Sequence, residues 1–326
     1  MQNKRVLGIG NALMDILVNV EDEFLKKNGL QKGSMQLVDK DLANRLLISV
    51  ENYEKKYASG GSAANTINGL ANLGIECGYI GKIGNDDLGD LFKNGLSKNN
   101  INPLLSLGKS DTGTAITFIT PDSERTFATY LGAALELDTD DLTTSKFINY
   151  SIVHLEAYLI GNKQLFETAL RIAKEMKMLV SLDLSSYNIV ESNYEYLHNI
   201  IPGNIDILFA NEEEAKALTR KNAEDAIHDL SNICKLAIVK LGDKGSIAKN
   251  SVEFAKVESH KVKAMDTTGA GDLYASGFLY GYLKDWSLEK CAKLGSFVAA
   301  KVVENIGAQI NDSGWKEIKN LVLSMI

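Results

Sequence analysis

The chain has 326 residues, 45% of them hydrophobic, and a formal charge of −7 from 35 basic and 42 acidic side chains. That length suits one large α/β domain, with or without a smaller one, and the apolar fraction excludes disorder as the main state. The acidic balance argues against a general nucleic-acid binder, which needs a basic stripe, and no apolar run approaches the roughly 18–20 residues of a membrane span.

In chain order, residues 5–10 (RVLGIG) read as a short buried strand. Lys4 and Arg5 are basic, but Asp15 interrupts the apolar stretch that follows, so no secretory signal is expected. Residues 16–20 and 35–38 read as further strands. Gly60 and Gly61 precede a helix with Ile67, Leu70 and Leu73 on its apolar face and Gly74 as its C′ residue. Residues 113–119 and 125–131 alternate apolar with small or polar residues around Pro121-Asp122, which predicts a hairpin in an antiparallel sheet with one wetter face. From Ser151 the pattern changes. Apolar runs at 151–155, 178–183, 205–210 and 236–241 alternate with helical segments near 162–176, 191–199, 211–218 and 223–232. In the first helix Leu165, Ala169, Ile172 and Met176 share one face. Two more helices are predicted at about 271–283 and 287–303.

This alternation implies an α/β fold: a doubly wound, mostly parallel sheet with helices on both faces. The alternating strands add a small β-sheet lid. The lid is expected from residues 16–40 and 110–135, and the large unit from 1–15, 41–109 and 136–326. Sites in open α/β sheets lie at the C-terminal strand ends, where such a lid would sit.

Several chemistries are disfavoured. Cys77, Cys234 and Cys291 are odd in number with no CxxC spacing, so neither a disulfide framework nor a zinc site is expected, and a reducing cytoplasm fits. The four histidines lack HExxH spacing, and His154 within SIVHL reads as a strand residue. Gly8 and Gly10 begin a GxGxxG pattern that Leu13 breaks, which disfavours a nicotinamide dehydrogenase. A Walker A loop is absent, since Gly81-Lys82 has Glu76 at the first glycine position and Ile83 after the lysine.

Two glycine clusters point to a ligand. In Gly60-Gly61-Ser62-Ala63-Ala64-Asn65 the glycines admit a ligand to the backbone, and Asn65 falls in the first helical turn. In Asp266-Thr267-Thr268-Gly269-Ala270-Gly271-Asp272 a glycine-rich helix entrance leaves backbone N–H groups for an anion. The positive helix end favours charge developing in phosphoryl transfer. Asp272, beside that anion, is suited to take a proton from an attacking nucleophile. Asn211, before three glutamates, has the signature of a helix N-cap.

The chain resembles the ribokinase-like (PfkB) family of carbohydrate and nucleoside kinases over nearly its whole length. The resemblance rests on GGSAANTINGLANLG at 60–74 with GKIGNDDLG at 81–89, NEEEA at 211–215, KLGDKG at 240–245 and DTTGAGD at 266–272. A narrower likeness to adenosine kinases lies in residues 10–16, 22–39, 124–134 and 204–215. The resemblance implies ATP-dependent phosphorylation of a ribosyl 5′-hydroxyl, with Asp272 as general base and Gly269, Ala270 and Gly271 as the anion hole. It implies that Asp15, Gly60, Gly61 and Asn65 hold the ribose, a carboxylate being a good clamp for two vicinal hydroxyl donors. By the same resemblance Asn11 and Leu13 would lie near the base, Phe127 and Tyr158 would wall it, and Arg125 would reach phosphates. Asn211 and Glu214 would organise Mg²⁺ through waters. Lys240, Gly242 and Gly245 would border ATP, and Ser296 would lie on its adenine side. A monovalent cation beside Asp266 and Thr268 is left open, as are a different nucleoside or sugar acceptor, a non-catalytic binding protein, and a monomer or homodimer.

Overall fold

The computed structural model describes residues 4–122 and 124–325. The expected large unit's ends at 1–3 and 326, and Ser123 in the predicted hairpin turn, lie outside that set. The first half of the chain forms β1 (Val6–Ile9), β2 (Leu13–Asn19), α1 (Asp22–Lys27), β3 (Met35–Leu37), α2 (Lys40–Ser49), β4 (Lys55–Gly60) and α3 (Ser62–Asn72). Next come β5 (Cys77–Ile80), β6 (Lys82–Ile83), α4 (Asp87–Lys98), β7 (Ile101–Pro103), β8 (Ser106–Leu107), β9 (Gly113–Ile119) and β10 (Arg125–Tyr130). The second half forms β11 (Ile152–Glu156), α5 (Lys163–Glu175), β12 (Leu179–Asp183), α6 (Tyr187–Ser192), α7 (Tyr194–Ile200), β13 (Ile207–Asn211), α8 (Glu212–Thr219) and α9 (Ala223–Ile233). It ends with β14 (Leu236–Lys240), β15 (Ser246–Asn250), β16 (Phe254–Val257), α10 (Ala270–Leu283), α11 (Leu288–Val303) and α12 (Asp312–Met325).

The nine-stranded sheet has the order β16-β15-β14-β13-β12-β11-β1-β5-β7. Its strands are parallel except β15 and β16, which add an antiparallel edge by hairpins. One apolar cluster packs α3, α4, α10 and α11 on one face and a second packs α5, α8 and α9 on the other. This is the doubly wound fold expected. On α5 the predicted stripe is buried at Leu165, Ala169 and Ile172, and Met176 packs at its end. Full burial of one such leucine contributes about 1.5–3 kcal/mol. α10 is apolar around its circumference and is accordingly enclosed, between α3 and α11.

The strand order reverses between β1 and β11. The chain leaves β1 toward β5 and β7, then returns to build the other half from β11. The C-terminal ends of these two strands therefore open a crevice.

The smaller sheet, β3-β10-β9-β2-β4, differs from expectation in three respects. It includes Lys55–Gly60, which the sequence reading placed in the large unit, and it begins at Leu13 rather than residue 16. It is also mixed rather than antiparallel. β9–β10 is the predicted hairpin, but β2 runs parallel to β9 and β10 parallel to β3. Local turns dictate antiparallel pairing only between chain neighbours, and these strands meet across long connections. The predicted helix at 191–199 is split at Asn193 into α6 and α7.

Register sorts the faces of this sheet. Leu13, Asp15 and Leu17 alternate on one face, joined there by Thr117, Arg125 and Phe127. The opposite face carries Ile16, Val18, Ile116, Phe118 and Ala128 into a small core under α1 and α2. No helix among the described residues is long and apolar enough to cross a membrane.

Candidate active site

The turn from β4 into α3 is set by Gly60 and Gly61. Gly61 has φ +99°, and a Cβ at Gly60 would stand 2.3 Å from the Asp15 carboxylate. This packing puts Asp15 against the helix entrance. Its carboxylate has no hydrogen-bond or ion-pair partner among the described residues. Desolvation first, then the charges of Asp272 and Asp266, push its pKa up to about 7.

Gly269 enters α10 in the left-handed region, at φ +73°, with no side-chain cap. The N–H of Ala270 is given to the Thr267 carbonyl at 3.1 Å. The N–H groups of Gly269, Gly271 and Asp272 have no acceptor among the described residues, so the open donors are those flanking Ala270. Asp272 in this first turn accepts from Ser62 Oγ at 2.7 Å and from Asn65 Nδ2 at 2.9 Å. Thr66 Oγ1 donates to its backbone carbonyl. The start of α3 thus holds the start of α10. Desolvation raises the Asp272 pKa to about 6, with a contribution from Asp183; the hydrogen bonds from Asn65 and Ser62 oppose it. Asn65 Oδ1 is buried with no donor among the described residues, and a hydroxyl is a donor suited to it.

Glu156, not singled out from sequence, ends β11 at the strand-order reversal. It is buried and accepts from Asn11 N (2.9 Å), Asn11 Nδ2 (2.8 Å) and Ala63 N (2.8 Å). One carboxylate therefore ties the β1–β2 loop to the N-terminus of α3. Desolvation outweighs these donors and raises its pKa to about 7. The available signal was an acid closing an apolar strand run, since parallel strands present their C-terminal ends to ligands. Glu156→Gln replaces an acceptor with an NH₂ group facing N–H donors. We expect a loss of about 1–3 kcal/mol in urea unfolding, with a raised acceptor KM as the loop carrying Asn11 and Leu13 loosens.

A second cleft, of about 290 Å³, lies behind α10. Lys240, Gly242, Gly245, Ala270, Gly271 and Ser296 all line it, so the structure brings the expected nucleotide-side residues together. Val262, Ala264, Ala299 and Val303 give it apolar walls. Ser296 Oγ is engaged by His260 N at 3.1 Å. Lys240 Nζ would be 3.0 Å from a Cβ at Gly271, so the ammonium lies against the helix start. It pairs with Asp183 at 2.7 Å, a partner the sequence reading missed. Desolvation works against the Lys240 charge, but Asp183 and Glu214 outweigh it and raise its pKa.

Asn211 and Glu214 lie outside that lining and form a reciprocal cap on α8. Glu214 Oε2 and Oε1 accept from Asn211 N and Nδ2, and Asn211 Oδ1 accepts from Glu214 N. With both carboxylate oxygens so engaged, the pair suits a hydrated cation held through waters. Among the described residues no group of three or more His, Cys, Asp or Glu side chains could hold a metal directly.

Phe127 is half-buried on the site-side face of the small sheet. Tyr158 is 38% exposed, and its hydroxyl donates to the Ser185 carbonyl at 3.3 Å. Arg125, for which the resemblance implies phosphate, has its guanidinium on Asp266 and on the Met265 carbonyl.

A family model described as pfkB family carbohydrate kinase matches residues 35–314. The structure superposes on that of an adenosine kinase from Sinorhizobium meliloti with a TM-score of 0.87 and 34% identity, covering 99% of this chain and 100% of that one. A probable sugar kinase from Rhizobium etli gives a TM-score of 0.88 and 34% identity, with coverage of 99% and 100%. An uncharacterized sugar kinase of Archaeoglobus fulgidus is 32% identical over 248 residues, 74% of this chain and 96% of that protein. With four motifs in order, a helix start open to an anion and a carboxylate beside it, the chain belongs to the pfkB family of carbohydrate kinases and is a phosphotransferase with an alcohol acceptor on a sugar or nucleoside.

Proposed function

We propose that this protein transfers the γ-phosphoryl group of ATP to the 5′-hydroxyl of a ribonucleoside, adenosine foremost. The observation that carries the reading is the triad of polar groups at the α3–α10 junction. The Asp15 carboxylate has no partner among the described residues, Asn65 Oδ1 is buried without a donor, and Asp272 stands at the open helix start. Asp15 and Asn65 Oδ1 suit the vicinal hydroxyls of a ribose. The acceptor's 5′-oxygen then lies toward Asp272, which takes its proton as that oxygen attacks phosphorus. The N–H groups of Gly269 and Gly271 and the helix end offset charge on the transferring group. This is positioning and electrostatics, with no covalent intermediate on the protein.

A nucleoside is favoured over a free sugar by the small sheet. Its site-side face adds Leu13, Leu17 and Phe127 to Asp15 in register, an apolar surface suited to a base rather than to more hydroxyls. The adenosine kinase likeness at 34% identity supports the same choice. Asn11 and Tyr158 border this space in the reading, and the sheet acts as a cover that excludes water. ATP fits the cleft of Lys240, Gly242, Gly245 and Ser296, its phosphates toward Gly271. Mg²⁺ would be held by Asn211 and Glu214 through waters, where it neutralises phosphate charge. Three free cysteines fit a reducing cytoplasm.

The test is ADP release with ATP and a panel of adenosine, inosine, guanosine and ribose. Turnover foremost with adenosine supports the reading. Turnover confined to ribose or another sugar reassigns the acceptor, and binding of the panel without turnover overturns the catalytic assignment.

A further inference from the structure

Ser185 is set apart by its backbone. Among the described residues six non-glycines have a positive φ. Asn100, Asn149, Lys177, Arg220 and Asp285 each follow a helix or a 3₁₀ turn, where one left-handed residue is an ordinary ending. Ser185, at φ +64°, instead follows strand β12. Ser186 N donates across it to the Leu184 carbonyl at 2.7 Å, which makes Ser185 the centre of a γ-turn of the rare, strained hand. Four further contacts fix that conformation. Ser185 N donates to Asp183 Oδ1 at 2.9 Å, and Ser185 Oγ donates to the Asp183 carbonyl at 3.0 Å. The same Oγ accepts from Ala157 N at 3.0 Å, and the Ser185 carbonyl accepts from the Tyr158 hydroxyl at 3.3 Å. Ala157 is buried and opens the 3₁₀ turn Ala157–Gly161, which has no side-chain cap of its own. Ser185 Oγ therefore caps, from the neighbouring strand, the turn that carries Tyr158. On its other side the same residue rests on Asp183, whose Oδ2 holds Lys240 against the start of α10.

We propose that Ser185 is a positioning residue for the acceptor: its turn, anchored on Asp183, holds Ala157 and Tyr158 in place relative to the Lys240 end of the site. This rests on the phosphotransfer reading, in which Tyr158 borders the acceptor. Strain of this kind persists only where the surroundings over-determine it, and it concentrates at functional sites. A glycine would adopt the same φ freely, so what serine adds at this position is its hydroxyl. Without that Oγ the buried Ala157 N–H loses its acceptor, and the turn after β11 is freed from β12. The two partners of the Asp183 carboxylate are Ser185 N and Lys240 Nζ, and neither depends on the serine side chain. Loss of the hydroxyl should thus loosen the acceptor wall and spare the nucleotide side.

The test compares the wild type with Ser185→Gly, which removes the hydroxyl and relieves the strain together, so that the fold is kept. In the unliganded protein, amide hydrogen exchange in residues 157–161 is expected to quicken at least about fivefold in the variant, because an N–H there has lost its acceptor. Exchange in β14, which carries Lys240, should be unchanged. In turnover, KM for adenosine is expected to rise about tenfold, the scale of one lost contact in a positioned wall. KM for ATP should stay within about twofold. A merely structural role predicts a different pattern: kcat lowered through a smaller active fraction, with both KM values as in the wild type. That pattern overturns the proposal, as does unchanged exchange in residues 157–161 or a KM for ATP raised as much as that for adenosine. Because the exchange measurement needs no substrate, it decides alone if the wild type does not turn adenosine over. A wild type inactive on the whole acceptor panel would refute the phosphotransfer reading, and unchanged exchange would refute the positioning role.

Discussion

Replacing Asp272 with asparagine is expected to lower kcat by about 10²- to 10⁴-fold, the range that a positioned general base supplies. Asparagine keeps the side-chain shape and can still engage Ser62 and Asn65, so KM values should stay within a few-fold of wild type. The same residue sets the pH profile. Its pKa is raised to about 6 because desolvation and the nearby Asp183 charge outweigh the donors on it. A base acts ionised, so protonation of Asp272 lowers kcat/KM about tenfold per pH unit below about 6. Asp15, raised to about 7, must also be ionised to accept from two hydroxyls, which broadens the limb toward neutrality. This loss is not acid unfolding by the same group. A carboxylate whose pKa rises on folding, from 3.8 to about 6, binds its proton more tightly in the native state. Its stabilising contribution is complete below the unfolded value and is lost as pH climbs through the folded one. Activity should therefore decline on acidification while stability linked to Asp272 increases. Retained turnover in Asp272→Asn, or a flat profile from pH 5 to 8, would remove Asp272 from the role of base.

Lys240→Met is expected to give the largest stability change. It leaves the buried Asp183 with no cation, and breaking such a pair on one side costs about 3–5 kcal/mol. The cost is not relieved locally, because Glu214 and Asp272 place further negative charge near that ammonium. Among the described residues, the remaining donor to Asp183 is Ser185 N at 2.9 Å. Removing both charges, as in Lys240→Met with Asp183→Leu, should recover most of the loss, since an apolar pair of similar volume is often neutral or better. Urea unfolding of Lys240→Met, Asp183→Leu and the double variant checks this. A single variant within 1 kcal/mol of wild type would show that the pair carries little of the native stability.

The outline of this molecule was legible in its sequence where the signal is local. The α5 stripe of Leu165, Ala169 and Ile172, the β9–β10 hairpin and the glycine-rich start of α10 each depend on neighbours within a few residues. β4 was not, because Lys55–Gly60 reads KKYASG, with no apolar alternation. It becomes a strand by pairing with β2, whose register brings Asp15 opposite Ala58. The parallel pairing of β2 with β9 joins strands about a hundred residues apart, which no turn chemistry announces. The site shows the same division. Asp272, Gly269, Gly271 and Asn65 lie in motifs that specify their own backbone. Glu156, Asp183 and the Arg125–Asp266 pair owe their environment to elements that meet only after folding. Asn211 was visible as an N-cap, and the structure adds that Glu214 closes the cap with both carboxylate oxygens.

In the proposed reaction a nucleoside 5′-hydroxyl accepts the γ-phosphoryl group with Asp272 as base. Phosphorus NMR of a reaction of ATP, Mg²⁺ and adenosine tests it most directly. Equal amounts of ADP and a phosphomonoester on the 5′-oxygen are expected with the wild-type protein, and almost none with Asp272→Asn. Inorganic phosphate in place of the ester, or a phosphomonoester formed equally well by both proteins, would contradict it.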